Sequence, residues 1–85
     1  MRKYTAINID LAISYYNRLH PEKSITKRKV AQNCIKGDLS DNTKFNYMTL
    51  YSKGDRNCPA SVLISLSEML KCTVDFLLGK TSKPN

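Results

Sequence analysis

Residues 24–54, "SITKRKVAQNCIKGDLSDNTKFNYMTLYSKG", hold two helical patterns joined by a polar loop, and the rest of the chain can be interpreted outward from them. Thr26 is a favourable N-cap and is followed by apolar residues at helical spacing, which predicts a helix from Thr26 to about Ile35, ended by Gly37. The loop that follows is rich in Gly, Asp, Asn and Ser, as turns are. A second helix is predicted from about Asn42 or Thr43 to Lys53, with apolar side chains on one face.

The first turn of the helix after Thr26 is unusual, because it reads Lys27-Arg28-Lys29. The positive end of a helix dipole favours Asp or Glu, and a capping box would place Glu or Gln at Lys29. Three cations at this end are unfavourable in the isolated helix, but a helix N-terminus already attracts anions. We therefore expect Lys27 and Arg28 to serve an anionic partner, and Lys29 to point into solvent.

The remaining segments predict one small all-α domain. The chain has 85 residues, of which 41% are hydrophobic, and no stretch alternates with period two for long enough to form a strand. Further helices are predicted over residues 8–19, from Pro59 to about residue 70, and in "VDFLL" after Thr73. We expect a compact bundle of four to five short helices in residues 1–79, followed by a polar, frayed tail in residues 80–85.

Charge is unevenly distributed along the chain. Residues 1–36 hold eight Lys or Arg against two acidic residues, a net charge of +6, whereas residues 37–85 hold six against five, a net charge of +1. A small protein with a basic half favours a polyanionic partner, nucleic acid first. No apolar run approaches the length of a membrane span, and the N-terminus lacks the pattern of a signal peptide. We expect a soluble, cytoplasmic protein without a membrane partner.

Catalytic and metal-binding patterns are not found in the sequence. Cys34, Cys58 and Cys72 are widely spaced, and His20 is the single histidine, so neither a zinc site nor a disulfide framework is expected. Cys34 and Cys72 fit core positions, and Cys58 fits an exposed loop. No hydrolase, P-loop or dinucleotide-binding motif occurs. We expect a protein without enzymatic activity, metal or cofactor.

The second half of the chain resembles a known family. Residues 46–80, "NYMTLYSKGDRNCPASVLISLSEMLKCTVDFLLGK", are similar to the phage-repressor and Cro-like (XRE) family, in which the recognition helix ends near a Gly. In that family the Gly is followed by a basic residue, a Pro and a fourth helix. The family then closes with a pattern like "VSVDYLLG", and the corresponding residues of this chain are "CTVDFLLG". Upstream, "ITKRKVA" resembles the start of the family's second helix. The resemblance implies a lambda-repressor-like helix-turn-helix that binds double-stranded DNA.

The resemblance implies roles for individual residues when sequence positions are counted back from Gly54. The helix over about residues 43–53 would enter the major groove, and the start of the preceding helix would lie on the phosphate backbone. Asn46 is the leading base-reading candidate, since Asn can pair with adenine, and a solvated helix position is its alternative. Tyr47 has a phosphate contact or simple packing as alternatives. The base-reading candidates are Lys44, Asn46, Tyr47, Thr49 and Leu50, and the phosphate candidates are Lys27, Arg28, Lys53 and Arg56.

Three departures from the family pattern affect these expectations. The segment between Ala31 and Gly54 is longer than the family's usual turn and helix. Ser52 stands where the family has an acidic residue that pairs with an Arg of the first helix, so that pairing is absent or replaced. Lys27 stands where the family often has Gln.

The resulting hypothesis is a sequence-specific transcriptional regulator, a repressor, that binds DNA as a homodimer on two half-sites. One alternative is an antitoxin-type module that binds a partner protein, for which the loop over residues 35–43 offers a contact surface, and also represses its own promoter. Another is non-specific binding of DNA or RNA by the basic N-terminal half.

Overall fold

The chain folds into five α-helices and, within residues 3–84, no strand. The structure is a computed structural model that describes residues 3–84. Met1 and Arg2 of the predicted domain and Asn85 of the predicted tail lie outside the described residues. The Cα radius of gyration of 12.1 Å is close to the value of about 12 Å expected for one compact domain of this length. The all-helical prediction is confirmed. The helices are α1 (Ile9–Leu19), α2 (Lys27–Cys34), α3 (Asp41–Lys53), α4 (Ala60–Leu70) and α5 (Val74–Leu77), with a 3₁₀ turn at Pro21–Lys23.

Side-chain caps begin three of the helices. The hydroxyl of Thr26 accepts the backbone N–H of Lys29 at 3.2 Å, and Thr73 accepts that of Phe76 at 3.1 Å, as the sequence predicted. The third cap was not predicted: Ser40 accepts the N–H of Thr43 at 3.2 Å, which begins α3 at Asp41, earlier than the loop composition indicated.

Two further helix boundaries differ from the predictions. α2 ends at Cys34, and Ile35 turns into an extended conformation that buries its side chain in the core instead of continuing toward Gly37. Pro59 is the N-cap of α4 rather than its first helical residue. At the end of α3 the prediction is confirmed, because Gly54 takes the left-handed conformation (φ 78°) and its N–H closes the last turn.

The core lies where the five helices meet. Most of its residues lie at helical spacing on the inner faces of the helices, whereas Ile7 and Ile35 lie outside the regular helices. Phe45, one of the apolar residues of α3, is only half-buried. The fully buried large side chains are Ile9, Val30, Met48, Leu66, Leu70 and Leu77.

Both ends of the described chain are fixed to the helices. At the N-terminal end, the backbone N–H groups of Lys3 and Tyr4 donate to the carbonyl of Gly54, and that of Ile7 donates to the carbonyl of Tyr51 at 3.1 Å. At the other end, the carbonyl of Pro84 accepts the N–H of Thr73 at 2.8 Å. The carbonyl of Pro84 thus pairs an N–H that precedes α5 and has no acceptor within that helix.

α2 and α3 pack closely against each other, with α4 behind α2. This packing brings the start of α2 beside the first turns of α3, as described below. Among the residues that the structure describes, no helix is long and apolar enough to cross a membrane.

Candidate nucleic-acid interface

One face of α3 points away from the core. Met48 is fully buried, and at 100° per residue the positions most nearly opposite to it are Asn46 and Leu50, followed by Thr43 and Lys53. Asn46 and Lys53 are exposed and Leu50 is half-buried. Three of the predicted candidates therefore share one accessible face.

Two other base-reading candidates lie off this face. Thr49 is half-buried at its edge, and its hydroxyl donates to the carbonyl of Phe45 at 3.1 Å, which leaves the methyl group as its available part. Lys44 precedes Met48 by four residues, so it lies on the core side of α3, and it is half-buried. The structure thus separates Lys44 from Asn46.

Tyr47 supports an arginine on one side of α3. The guanidinium carbon of Arg56 lies 4.0 Å from the centroid of the Tyr47 ring, which is the geometry of a cation–π contact. The Tyr51 ring packs beside Tyr47 with centroids 6.5 Å apart. Burial raises the pKa of the Tyr51 hydroxyl, and its hydrogen bond with Arg56 opposes that rise. Two predicted residues, Tyr47 and Arg56, are thus brought together with Tyr51.

Arg28 is held on the other side of α3 in a similar way. Its guanidinium carbon lies 4.8 Å from the centroid of the Phe45 ring, and its Nη1 donates to Oδ1 of Asn42 at 2.9 Å. Neither Asn42 nor Phe45 was a predicted site residue. The helical repeat could have indicated Asn42, since it precedes Asn46 by four residues on the same helix.

Lys27 is engaged by an acidic residue of α1. Its Nζ lies 3.3 Å from Oδ1 of Asp10, and it also lies 5.9 Å from the centroid of the Phe45 ring. The Lys27 side chain is only 21% exposed, whereas that of Asp10 is 73% exposed. Asp10 therefore supplies the negative charge that the first turn of α2 lacks, and Lys27 is less accessible than Arg28. Lys29 is exposed, as expected.

Ser52 is bonded within α3. Its hydroxyl donates to the carbonyl of Met48 at 3.1 Å. The Ser52 side chain is therefore paired with the backbone of its own helix and not with a residue of α1.

The two arginine–aromatic contacts flank Asn46. Phe45 and Tyr47 are the residues immediately before and after it, so their side chains leave the helix about 100° to either side. Arg28 and Arg56 therefore lie on opposite sides of the exposed face of α3. Stacked guanidinium groups lose less conformational freedom on binding than free ones, and they suit the bidentate recognition of phosphate.

The thiols are protonated at neutral pH. Burial raises the pKa of Cys34 to about 11 and that of Cys58 to about 12, and it also raises the pKa of Cys72. Cys58 was predicted to be exposed, but it is half-buried next to the core. His20 is exposed and its ring packs against that of Tyr16, with centroids 4.6 Å apart. Within residues 3–84, no group of three or more His, Cys, Asp or Glu side chains is arranged to hold a metal.

No protein-family model, curated protein or solved structure matches this chain.

Proposed function

We propose that the protein is a sequence-specific double-stranded DNA-binding regulator of transcription that acts as a repressor. In this proposal α2 and α3 act as a helix-turn-helix of the XRE type, with α3 in the major groove. The proposal concerns binding rather than catalysis, and it places the protein in the cytoplasm, where DNA is accessible.

One observation carries the proposal: the exposed face of α3 is bordered on both sides by an arginine stacked on an aromatic ring. An α-helix with its side chains is about 10–12 Å across, and the major groove is about 12 Å wide and bordered by the two phosphate backbones. Arg28, 4.8 Å from the Phe45 ring, would face one backbone, and Arg56, 4.0 Å from the Tyr47 ring, would face the other.

The residues between the arginines would read the bases. Asn46 is exposed and central, and its amide suits a bidentate contact to adenine. Leu50 and the methyl group of Thr49 suit thymine methyl groups. Lys53 is exposed and would add a phosphate contact, which positions the protein without reading sequence.

In this proposal Lys27 contributes less to phosphate binding than its sequence position indicated. Its contact with Asp10 and its low exposure place Arg28 first among the phosphate-binding residues of α2. Tyr47 would act from the edge of the groove by holding Arg56, whereas Lys44, on the core side of α3, is assigned no base contact.

A single domain of this size contacts few base pairs, so we propose that two copies bind half-sites about one helical turn apart. Such an operator would have approximate two-fold symmetry.

Selection of bound sequences from random duplex DNA tests the function. We expect one enriched, palindromic sequence whose binding survives an excess of random duplex, with affinity falling steeply as salt is raised. Equal competition by random duplex at moderate salt would overturn sequence-specific binding. Retention of a protein partner without any duplex preference would favour the antitoxin-type alternative instead.

A matched pair of variants tests the role of Asn46. Asn46→Ala should relax the preference at one base position and cost about tenfold in affinity for the selected sequence. Asn33→Ala is the control, because Asn33 is also exposed but lies on α2, where its amide donates to the carbonyl of Lys29. An unchanged preference in Asn46→Ala would exclude Asn46 as a base-reading residue.

A further inference from the structure

Asp10 is an acidic residue at the edge of a strongly basic surface. It lies in the first turn of α1, and its carboxylate is 3.3 Å from the ammonium group of Lys27. This is the one salt bridge between side chains of residues 3–84. The Asp10 side chain remains 73% exposed, so its charge faces solvent as well as Lys27.

The position of this ion pair relates it directly to the proposed phosphate contacts. The Nζ of Lys27 lies 5.9 Å from the centroid of the Phe45 ring, and the same ring carries Arg28 at 4.8 Å. A phosphate bound by Arg28 would lie beside the ring that Lys27 also contacts, and Lys27 is itself paired with Asp10.

Because the Asp10 side chain is 73% exposed, solvent screens this ion pair, and it adds little to folding stability. Its larger effect is on what else Lys27 can bind, since a phosphate must compete with the Asp10 carboxylate for the same ammonium group. Phosphate contacts raise the affinity for every sequence equally, whereas base contacts distinguish sequences. Weakening one phosphate contact therefore increases the fraction of the binding free energy that depends on sequence.

We propose that Asp10 determines specificity by holding Lys27, which lowers the affinity of the α2 end of the interface for polyanions of any sequence. The inference rests on the proposed DNA-binding function and adds a residue to it. Asp10 touches neither base nor phosphate in this account, and it acts through Lys27.

The test compares Asp10→Asn with a variant of equal charge. Glu68→Gln is the control, because Glu68 is exposed and lines a cleft with Asn33 and Cys34 at the far end of α2. Asp10→Asn should bind a random-sequence duplex about threefold more tightly than Glu68→Gln does, and its affinity should depend more steeply on salt by about one ion. Asp10→Glu, which keeps the charge, should bind like the unmodified protein. Binding by Asp10→Asn that equals or falls below that of Glu68→Gln would overturn the proposal.

Elution from immobilised heparin separates this inference from the proposed function. Heparin is a polyanion without base sequence, so Asp10→Asn should elute at higher salt than Glu68→Gln whether or not an operator exists. If the two variants separate on heparin but the unmodified protein shows no duplex preference, the regulator function fails and the role of Asp10 stands. If an operator is found but the variants elute together, the role of Asp10 fails and the regulator function stands.

A double-mutant cycle identifies the residue through which Asp10 acts. In a Lys27→Met background, Asp10→Asn should give a smaller gain in duplex affinity than it gives alone, because the group it releases is gone. An undiminished gain would contradict the part assigned to Lys27. Folding of each variant is checked by its thermal unfolding midpoint.

Discussion

The two sides of α3 hold their arginines by different means. Arg56 follows α3 in the chain, and it rests on Tyr47 at 4.0 Å with Tyr51 beside it. Arg28 belongs to α2, and it reaches α3 through a hydrogen bond of 2.9 Å to Asn42 and a ring contact of 4.8 Å with Phe45.

The two arginines differ in how far along the chain they lie from the residues that hold them. The Arg56 side depends on one helix and the residues just after it, so it can form wherever α3 forms. The Arg28 side depends on the packing of α2 against α3 and on the loop between them, because the hydrogen bond joins residues 14 positions apart. We expect perturbations of α2 to affect the Arg28 side alone, and perturbations of the core beneath α3 to affect both sides.

The largest expected effect comes from removing the common support. Met48 is fully buried on the face of α3 opposite Asn46. Met48→Ala should lower the free energy of unfolding by about 3 kcal/mol, through lost burial and the cavity left behind. Because small domains are stable by only about 5–15 kcal/mol, both arginine contacts should weaken together. Chemical denaturation measures the first effect, and aromatic NMR shifts of Phe45 and Tyr47 measure the second.

An exposed apolar residue provides the control for this variant. Ile64 lies on α4 and is 52% exposed, so Ile64→Ala should change the free energy of unfolding by about 0.5 kcal/mol or less. A comparable loss in the two variants would show that burial of Met48 does not support α3.

A smaller effect, confined to one side, is expected from the cap of α2. The Thr26 hydroxyl accepts the N–H of Lys29 at 3.2 Å, and Thr26→Ala should lower the free energy of unfolding by about 1 kcal/mol. Thr26→Ser keeps an oxygen at the cap and should retain most of that stability. Hydrogen exchange should become faster at the first turn of α2, while the ring shift of Tyr47 stays unchanged. Equal disturbance of Tyr47 would contradict the independence of the two sides.

The sequence identified candidate residues on the Arg56 side of α3 more fully than on the Arg28 side. Tyr47, Lys53 and Arg56 were candidates because they lie near Gly54, from which positions could be counted. Arg28 was a candidate too, but its partner Asn42 was placed at the boundary between loop and helix, because Ser40 was not identified as the cap that begins α3. Several polar residues of this loop have side chains that can cap a helix, and the neighbouring sequence does not determine which of them does so.

Sequence patterns did not predict contacts between segments that are distant along the chain. Asp10 lies on the exposed side of α1, but no sequence pattern predicted its contact with Lys27, 17 positions later. Ile7 precedes α1, and it is buried because the backbone before α1 bonds to the carbonyls at the end of α3. Periodicity finds core residues within helices, whereas these two contacts arise from the packing of the helices.

The smallest effect compares the two aromatic supports directly. Tyr47→Leu removes the ring beneath Arg56 and should weaken binding to the selected duplex by about threefold, the value of an exposed cation–π contact. Phe45→Leu should weaken binding less, because Arg28 keeps its hydrogen bond to Asn42. Affinities are compared at one salt concentration, after thermal unfolding has shown both variants to be folded. A larger loss in Phe45→Leu would mean that the ring, and not Asn42, orients Arg28, so that both arginines would depend on their aromatic partners alike.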